Sequence, residues 1–255
     1  MTVHATAEQG FSNEASTYAQ GRPGYPSGLN AWLGDSLGLE AGFRVIDVGA
    51  GTGKFTRLLQ ATGAEVLSVE PVAAMRAEFA KLLPGLAIVE GTAEHIPAPD
   101  HTADVVTCAQ AFHWFARESA LKEMHRVLKP GGRLGLVWNH RDDSVQWVAD
   151  VMGIILPYEG DTPRFHSGQW REAFTGRYFT SPEVTRFTHH HVGPAEDVII
   201  NRLLSVSFVA ALPDDEKAKV KAQLQQFIDS HPDLSGKARI EFPYRTEAYL
   251  YCRLV

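Results

Sequence analysis

Between Arg44 and Asn139 the apolar positions gather in short, nearly unbroken runs: "RVIDV" (44–48), "EVLSVE" (65–70), "LAIVE" (86–90), "ADVVTCAQ" (103–110) and "GRLGLVWN" (132–139). Runs this continuous predict strands covered on both faces. The segments between them predict helices over 53–61, 72–82 and 118–129. In the last, Leu121, Met124 and Leu128 recur at i, i+3 and i+7, and "KPGG" follows as a stop. Alternation of this kind predicts right-handed βαβ units and a doubly wound, mostly parallel sheet, with the site outside the carboxyl ends of the strands.

After Asn139 the rhythm changes. Helical or irregular stretches (145–156, 167–176) lead to a strand-like run "EVTRFTHHHV" (183–192), helices near 195–205 and 214–230, and a closing run "RIEFPYRTEAYLYCRL" (239–254). The last two β runs are expected to pair antiparallel at the sheet edge, making seven strands in all. The expected organisation is an N-terminal lid and helix (1–43, helix near 26–37), a core (44–139), and a C-terminal part of the same domain (140–255). Within that last part, 140–182 and 193–236 cover the open end of the sheet.

Composition narrows the possible partners. Thirty acidic against twenty-four basic side chains give a net charge of -6, which argues against a nucleic-acid polyanion. No apolar run approaches the roughly 18 to 20 residues that span a bilayer, and the first residues lack the basic and apolar regions of a secretory signal. A soluble cytoplasmic protein without a membrane partner is expected. Cys108 and Cys252 have neither the number nor the spacing of a disulfide framework or zinc site, and both are read as reduced core thiols.

The stretch "VIDVGAGTGKFTRLL" (45–59) places three glycines between a strand and a helix. A P-loop needs four residues between its first glycine and Gly-Lys, and a hydroxyl after the lysine. Here three residues separate Gly49 from Gly53, and Phe55 stands in the hydroxyl position. The dinucleotide fingerprint needs a third glycine where Lys54 stands. What fits is D-x-G-x-G-x-G, from Asp47 to Gly53. Glu70 follows at the end of the second strand, "GTAEHIP" (91–97) after the third, "VVTCAQAFHWF" around the end of the fourth, and "MHRVLKPGGRLGLVWN" as helix, turn and fifth strand. In these features the chain resembles the class I S-adenosylmethionine-dependent methyltransferases, over about 100 residues. The N-terminal pattern of Tyr18, Arg22, Pro23, Tyr25 and Pro26 is similar to that of the small-molecule branch that includes ubiquinone-biosynthesis-like and trans-aconitate-like enzymes.

The resemblance implies a Rossmann-like fold with S-adenosylmethionine as cofactor. Its cradle would be formed by Asp47, Gly49, Ala50, Gly51 and Gly53. Glu70 would accept the ribose hydroxyls, Pro71 and Met75 would lie beside it, and Thr92, Ala93 and Glu94 would meet adenine. Ala109 and Gln110 would end the fourth strand against the cofactor, while Tyr18 and Arg22 would close over its methionine end. Glycines let backbone groups approach the ligand, and a helix starting near Thr52 would offer its N-terminus to the carboxylate. Asp47 would hold the ammonium.

Methyl transfer requires alignment, exclusion of water and, for a weakly acidic nucleophile, removal of a proton. His113 is either the general base, with an ordinary pKa of about 6.5, or part of the wall with Trp114. Candidate acceptor contacts are Trp114, Asn139, His140 and Arg141, the last facing a carboxylate or forming a surface salt bridge. Tyr158 and Trp170, with Phe165 and Phe174, line an apolar pocket or belong to the core. On a strand only His189 and His191 of the histidine run share a side, so no metal is expected. No Asn/Asp-Pro-Pro-aromatic motif of nucleobase methylation follows the fourth strand. The expected activity is methyl transfer, to oxygen first of all, on a small molecule such as a carboxylate or phenol. A non-catalytic binder of the cofactor and a nicotinamide oxidoreductase remain as alternatives.

Overall fold

The computed structural model describes residues 22–255; Tyr18 and the rest of the lid before Arg22 lie outside them. The strands are β1 (Arg44–Val48), β2 (Glu65–Val69), β3 (Ala87–Val89), β4 (Ala103–Ala109), β5 (Leu128–Arg141), β6 (Glu183–Gly193) and β7 (Ile240–Cys252). They form one seven-stranded sheet in the order β3-β2-β1-β4-β5-β7-β6. The first five run parallel. β7 enters antiparallel between β5 and β6, as the two closing β runs predict. The chain reverses direction of build at β1 and β4, which opens a crevice at the carboxyl ends of these two strands.

The helices that position the site are α1 (Gly28–Asp35), α2 (Thr56–Ala61), α3 (Ala73–Leu82), α4 (Glu118–Val127), α5 (Gln146–Ile155) and α6 (Asp214–Ser230). Consecutive strand residues point to opposite faces, so β4 contributes Val105 to a core with Leu29, Trp32 and Leu33 of α1. Val106 packs on the other face with Leu121 and Met124 of α4. Each such buried side chain stabilises the fold by about 1.5–3 kcal/mol. A third apolar cluster joins α5 and α6 to Val198, Leu203, Phe242 and Tyr244. It lies at the end of β7 where Ile240–Tyr244 enters the sheet, and gives the C-terminal cover a core of its own.

Several expectations are corrected. The helix after β1, α2, begins at Thr56 rather than near Thr52, because Gly53 has φ +85°, a left-handed conformation that a helix cannot contain. That glycine is also sterically required, since a Cβ there would come within 2.4 Å of Leu83 and 2.8 Å of Phe79. Leu128 does not extend α4: it starts β5, and "KPGG" falls where the β4–β5 register shifts. The stretch 167–176 narrows to a 3₁₀ turn at Gln169–Ala173, and 195–205 opens as a π-helical turn, Glu196–Asn201, before a short helix Arg202–Leu204. Cys108 is buried as expected, but Cys252 is exposed because it points away from the core at the end of β7. No helix among the described residues is long and apolar enough to cross a membrane.

Candidate active site

The glycine loop leaves β1 and is held by its neighbours on both sides. The amides of Gly49 and Ala50 donate to the Val69 carbonyl (2.8 and 3.2 Å). The three glycines have different reasons to be glycine. A Cβ on Gly49 would lie 2.6 Å from Ala111 Cβ, and Gly53 is packed against α3 as above, whereas Gly51, at φ +56°, faces open space. Gly49 and Gly53 therefore let the loop pack, and Gly51 leaves room in front of it. This is the arrangement expected where a ligand must meet the backbone.

Glu70 closes this cradle. Only 6% exposed, it accepts the Gly51 amide on Oε2 (2.9 Å) and the Val72 amide on Oε1 (2.9 Å). Burial raises its pKa, against the lowering effect of these two amides and Arg76. Each carboxylate oxygen keeps a lone pair for a further donor, as recognition of a ribose diol requires. Pro71 and Glu70 are steadied from behind by Arg76, whose Nη1 donates to both carbonyls (2.7 and 2.9 Å). Met75 is buried on the same helix. Beyond β3, Thr92 and His95 exchange backbone hydrogen bonds (3.2 and 3.1 Å) in a tight turn that contains Ala93, buried in the core, and Glu94. Gln110, just past Ala109 and β4, has φ +60°. This conformation is uncommon for a residue with a Cβ and is typical of functional positions. The Gln110 amide donates to Val137 (2.8 Å) and its Nε2 to the Asn139 carbonyl (2.9 Å), which together hold it there.

Asp47 lies beneath the loop. Its two oxygens accept the Thr56 and Thr107 hydroxyls (2.7 and 3.0 Å), and burial, only partly offset by these bonds, raises its pKa from 3.8 to about 6. A group with a raised folded pKa stabilises the fold below its unfolded value and loses that contribution as pH rises through the folded one. At pH 7 the ionised Asp47 is therefore a cost to the cofactor-free protein. Asp47→Asn is expected to stabilise that form by about 1–3 kcal/mol at pH 7, with the gain vanishing below about pH 4. Denaturant melts at the two pH values check this, and equal stability of the two proteins at pH 7 would refute it.

His113 sits in a 3₁₀ turn, Phe112–Trp114. Its Nδ1 accepts the Trp138 indole N–H (3.1 Å), which places the neutral ring's proton on Nε2. Burial, then the charges of Arg164, Arg22 and His166, lower its pKa to about 3. The nitrogen that could take a proton is thus occupied, so the geometry supports the wall role rather than the base. The Trp114 ring lies 5.2 Å from that of His113.

The end of β5 supplies the rest. Asn139 joins three elements: its Nδ2 donates to the Gly24 carbonyl (2.9 Å), and its Oδ1 accepts from Thr246 (2.5 Å). It is therefore a fastening for the N-terminal segment. Lys54 Nζ donates to the Arg22 carbonyl, and Arg22 Nη2 reaches the Ser205 carbonyl (3.5 Å). His140 lies 5.2 Å from the Phe165 ring, and its buried Nε2 has no hydrogen-bond partner among the described residues. Arg141 is not a surface salt bridge. Its buried Nε and Nη2 have no acceptor among the described residues, and burial, with Arg202, Arg164 and Arg22 nearby, pushes its pKa well down.

The expected aromatic pocket divides. Trp170, 2% exposed, lies tilted against Trp138 (4.5 Å) and stacks on Phe165 (6.0 Å) in the main core. Tyr158 lies elsewhere, in a groove between α5 and α6 with Ile154 and Phe227. Residues that the sequence reading did not single out as binding groups gather instead around Arg141 and Arg22: Arg164 and Arg202 lie near Arg141, and Lys54 lies near Arg22 and Arg202. Arg202 carried a usable signal, as a lone charge in the apolar stretch "VIINRLLSVSFVAAL". Arg164, in an irregular loop, carried none.

Comparison with known proteins accords with this geometry. The methyltransferase-domain family matches residues 46–136. An uncharacterised methyltransferase-like protein of Schizosaccharomyces pombe is 37% identical, over 94% of this chain and 93% of that protein. A solved candidate type II methyltransferase of Anaeromyxobacter dehalogenans is similar in fold, with a TM-score of 0.63 at 24% identity, over 91% of this chain and 96% of that one. So is a geranyl diphosphate C-methyltransferase of Streptomyces coelicolor solved with S-adenosyl-L-homocysteine, with a TM-score of 0.50 at 15% identity, over 89% and 79%.

Proposed function

Because this chain belongs to the class I S-adenosylmethionine-dependent methyltransferases, we propose that the methyl group it transfers goes to a carboxylate oxygen of a small molecule. The observation behind this reading is Arg141: a guanidinium held at the end of β5, buried, whose Nε and Nη2 find no acceptor among the described residues. A guanidinium stays charged and matches a carboxylate with two parallel hydrogen bonds, so a bound carboxylate would satisfy both the charge and the free donors.

The residues of the cradle would hold the cofactor, Glu70 accepting the ribose hydroxyls and Gly51 leaving room in front of the loop. When bound, S-adenosylmethionine supplies a methyl whose C–S bond breaks with its electron pair going to sulfur, as an acceptor lone pair forms the new bond. A carboxylate is already an anion and gives up no proton, which suits a site where the acceptor nitrogen of His113 is engaged by Trp138. His113 and Trp114 then serve to shape the wall and exclude water, and Arg141 orients the nucleophile.

Incubation with labelled cofactor and matched panels of carboxylic acids and phenols tests the reading. Base-labile methyl esters are expected. His113→Ala is expected to lower turnover by less than about tenfold, against roughly 10²- to 10⁴-fold for loss of a general base. Base-stable ethers, or a hundredfold loss in that variant, would overturn it.

A further inference from the structure

The loop between β3 and β4 carries Thr92, Ala93 and Glu94 and lies outside the sheet, so its buried backbone groups need partners elsewhere. Its first residue packs against the cradle: a Cβ on Gly91 would come within 2.8 Å of Val69, whose carbonyl holds the glycine loop. Further on, Ile96 is 1% exposed, and both of its backbone groups are answered by side chains of α4. Its amide donates to Glu123 Oε1 (2.8 Å), and its carbonyl accepts from Arg126 Nη2 (3.0 Å). Arg126 Nη1 donates to the Ala98 carbonyl and to Asp100 Oδ1 (2.9 and 2.6 Å). Its Nε and Nη2 donate to the two Glu123 oxygens (both 2.8 Å). Every N–H of the guanidinium is thereby engaged.

An ion pair that served α4 alone would stop at Glu123 and Asp100, and with the Arg126 side chain 32% exposed it would contribute little. Here Arg126 also reaches two main-chain carbonyls of the loop, and Glu123 takes one of its amides. The two side chains, three residues apart on the helix, hold the Ile96 backbone between them while its own side chain enters the core with Leu121 and Met124. Between this hold and Gly91 lies the turn closed by Thr92 and His95, which is therefore fixed at both ends.

We propose that Arg126 and Glu123 are positioning residues for the cofactor's base: by holding Ile96 and Ala98 they set the 92–95 turn where it meets adenine, and with it the preference for adenine over other purines. This rests on the reading of Thr92, Ala93 and Glu94 as the adenine contacts. A loop released from α4 holds its binding-competent position only part of the time, and apparent affinity falls by that fraction. The ribose and methionine ends are assigned to Glu70 and the glycine loop, so the loss falls on recognition of the base.

Calorimetry with S-adenosylhomocysteine and S-inosylhomocysteine tests this without turnover. The second ligand has a carbonyl and an N–H where adenine has an amino group and a bare nitrogen, so it reverses the edge that the turn reads. The wild type is expected to bind S-adenosylhomocysteine more tightly by about tenfold or more. In Arg126→Met that preference should fall below about threefold, through weaker binding of S-adenosylhomocysteine, while affinity for S-inosylhomocysteine changes by less than about threefold. Glu123→Ala, which frees the Ile96 amide, is the parallel variant should Arg126→Met fail to fold, with circular dichroism as the check of folding. Met124→Ala is the control: it opens a cavity in the core from the same helix, and should melt at a lower temperature yet keep the full preference. Preference retained in a folded Arg126→Met or Glu123→Ala, or lost equally in Met124→Ala, would overturn the positioning role and leave the adenine contacts standing. A wild type that does not distinguish the two ligands would take adenine away from this turn, and the proposal with it.

Discussion

Glu70→Ala is expected to weaken S-adenosylmethionine binding by roughly 10²-fold or more. The side chain does two things at once. Its oxygens take the amides of Gly51 and Val72 (both 2.9 Å), tying the glycine loop of β1 to the end of β2, and in the proposed site their remaining lone pairs would accept the ribose hydroxyls. A hydrogen bond to a charged group is worth about 1.5–3 kcal/mol, a factor of roughly 10 to 150 in affinity for each one lost. Truncation also leaves the Gly51 amide without its acceptor. Glu70→Gln is expected to be nearly as harmful, because one end of an amide is a donor and cannot face either of the two N–H groups now held. Calorimetric titration separates these cases, and wild-type affinity in either variant would remove Glu70 from the cofactor site.

The second large effect is expected at Arg141. Arg141→Gln should lower kcat/KM for the acceptor by roughly 30- to 5,000-fold, since removing one partner of a buried, hydrogen-bonded charge pair costs about 2–5 kcal/mol. Affinity for the cofactor should change by less than about threefold. The cofactor-free variant should melt at a higher temperature than the wild type, because a buried charge whose Nε and Nη2 lack acceptors among the described residues is lost, and no ion pair among those residues is broken. This combination distinguishes a binding group from a structural one. A structural arginine would lose stability and activity together. Arg141→Lys should restore charge but little activity, because a point charge cannot make two parallel hydrogen bonds. Turnover within about threefold of wild type in Arg141→Gln would refute the assignment.

The features that were legible from sequence share one property: each is set by a few consecutive residues. β1 and β4 announce themselves as apolar runs buried on both faces, β2 as a shorter run buried at its carboxyl end, and α4 by its spacing. The loop can be read because the backbone conformations of Gly49, Gly51 and Gly53, all at positive φ, are permitted to few residues other than glycine. Glu70 can be located because a residue directly after a parallel strand must lie at the carboxyl edge of the sheet, beside the loop after the neighbouring strand. Where local reading erred, a neighbour distant in sequence was responsible. Phe79 and Leu83 fill the space beside Gly53 and keep the chain out of helix there, and β4 draws Leu128 into the sheet.

The sequence by itself determined the sheet, its direction, the glycine cradle and the acid beside it, because strand periodicity, glycine conformation and the carboxyl-end rule all act over short distances along the chain. Tertiary structure alone decided the protonation and partners of the site. Asp47 is buried under two hydroxyls because Thr107 is brought to it from 60 residues away. His113 has its accepting nitrogen filled because Trp138 stands on the adjoining strand. Arg202 meets Tyr244 across 42 residues and Lys54 meets Arg22 across 32. Charge acts through space and depends on burial. Cations dispersed through a chain of net charge -6 therefore become a concentrated positive site only when folding removes the water between them.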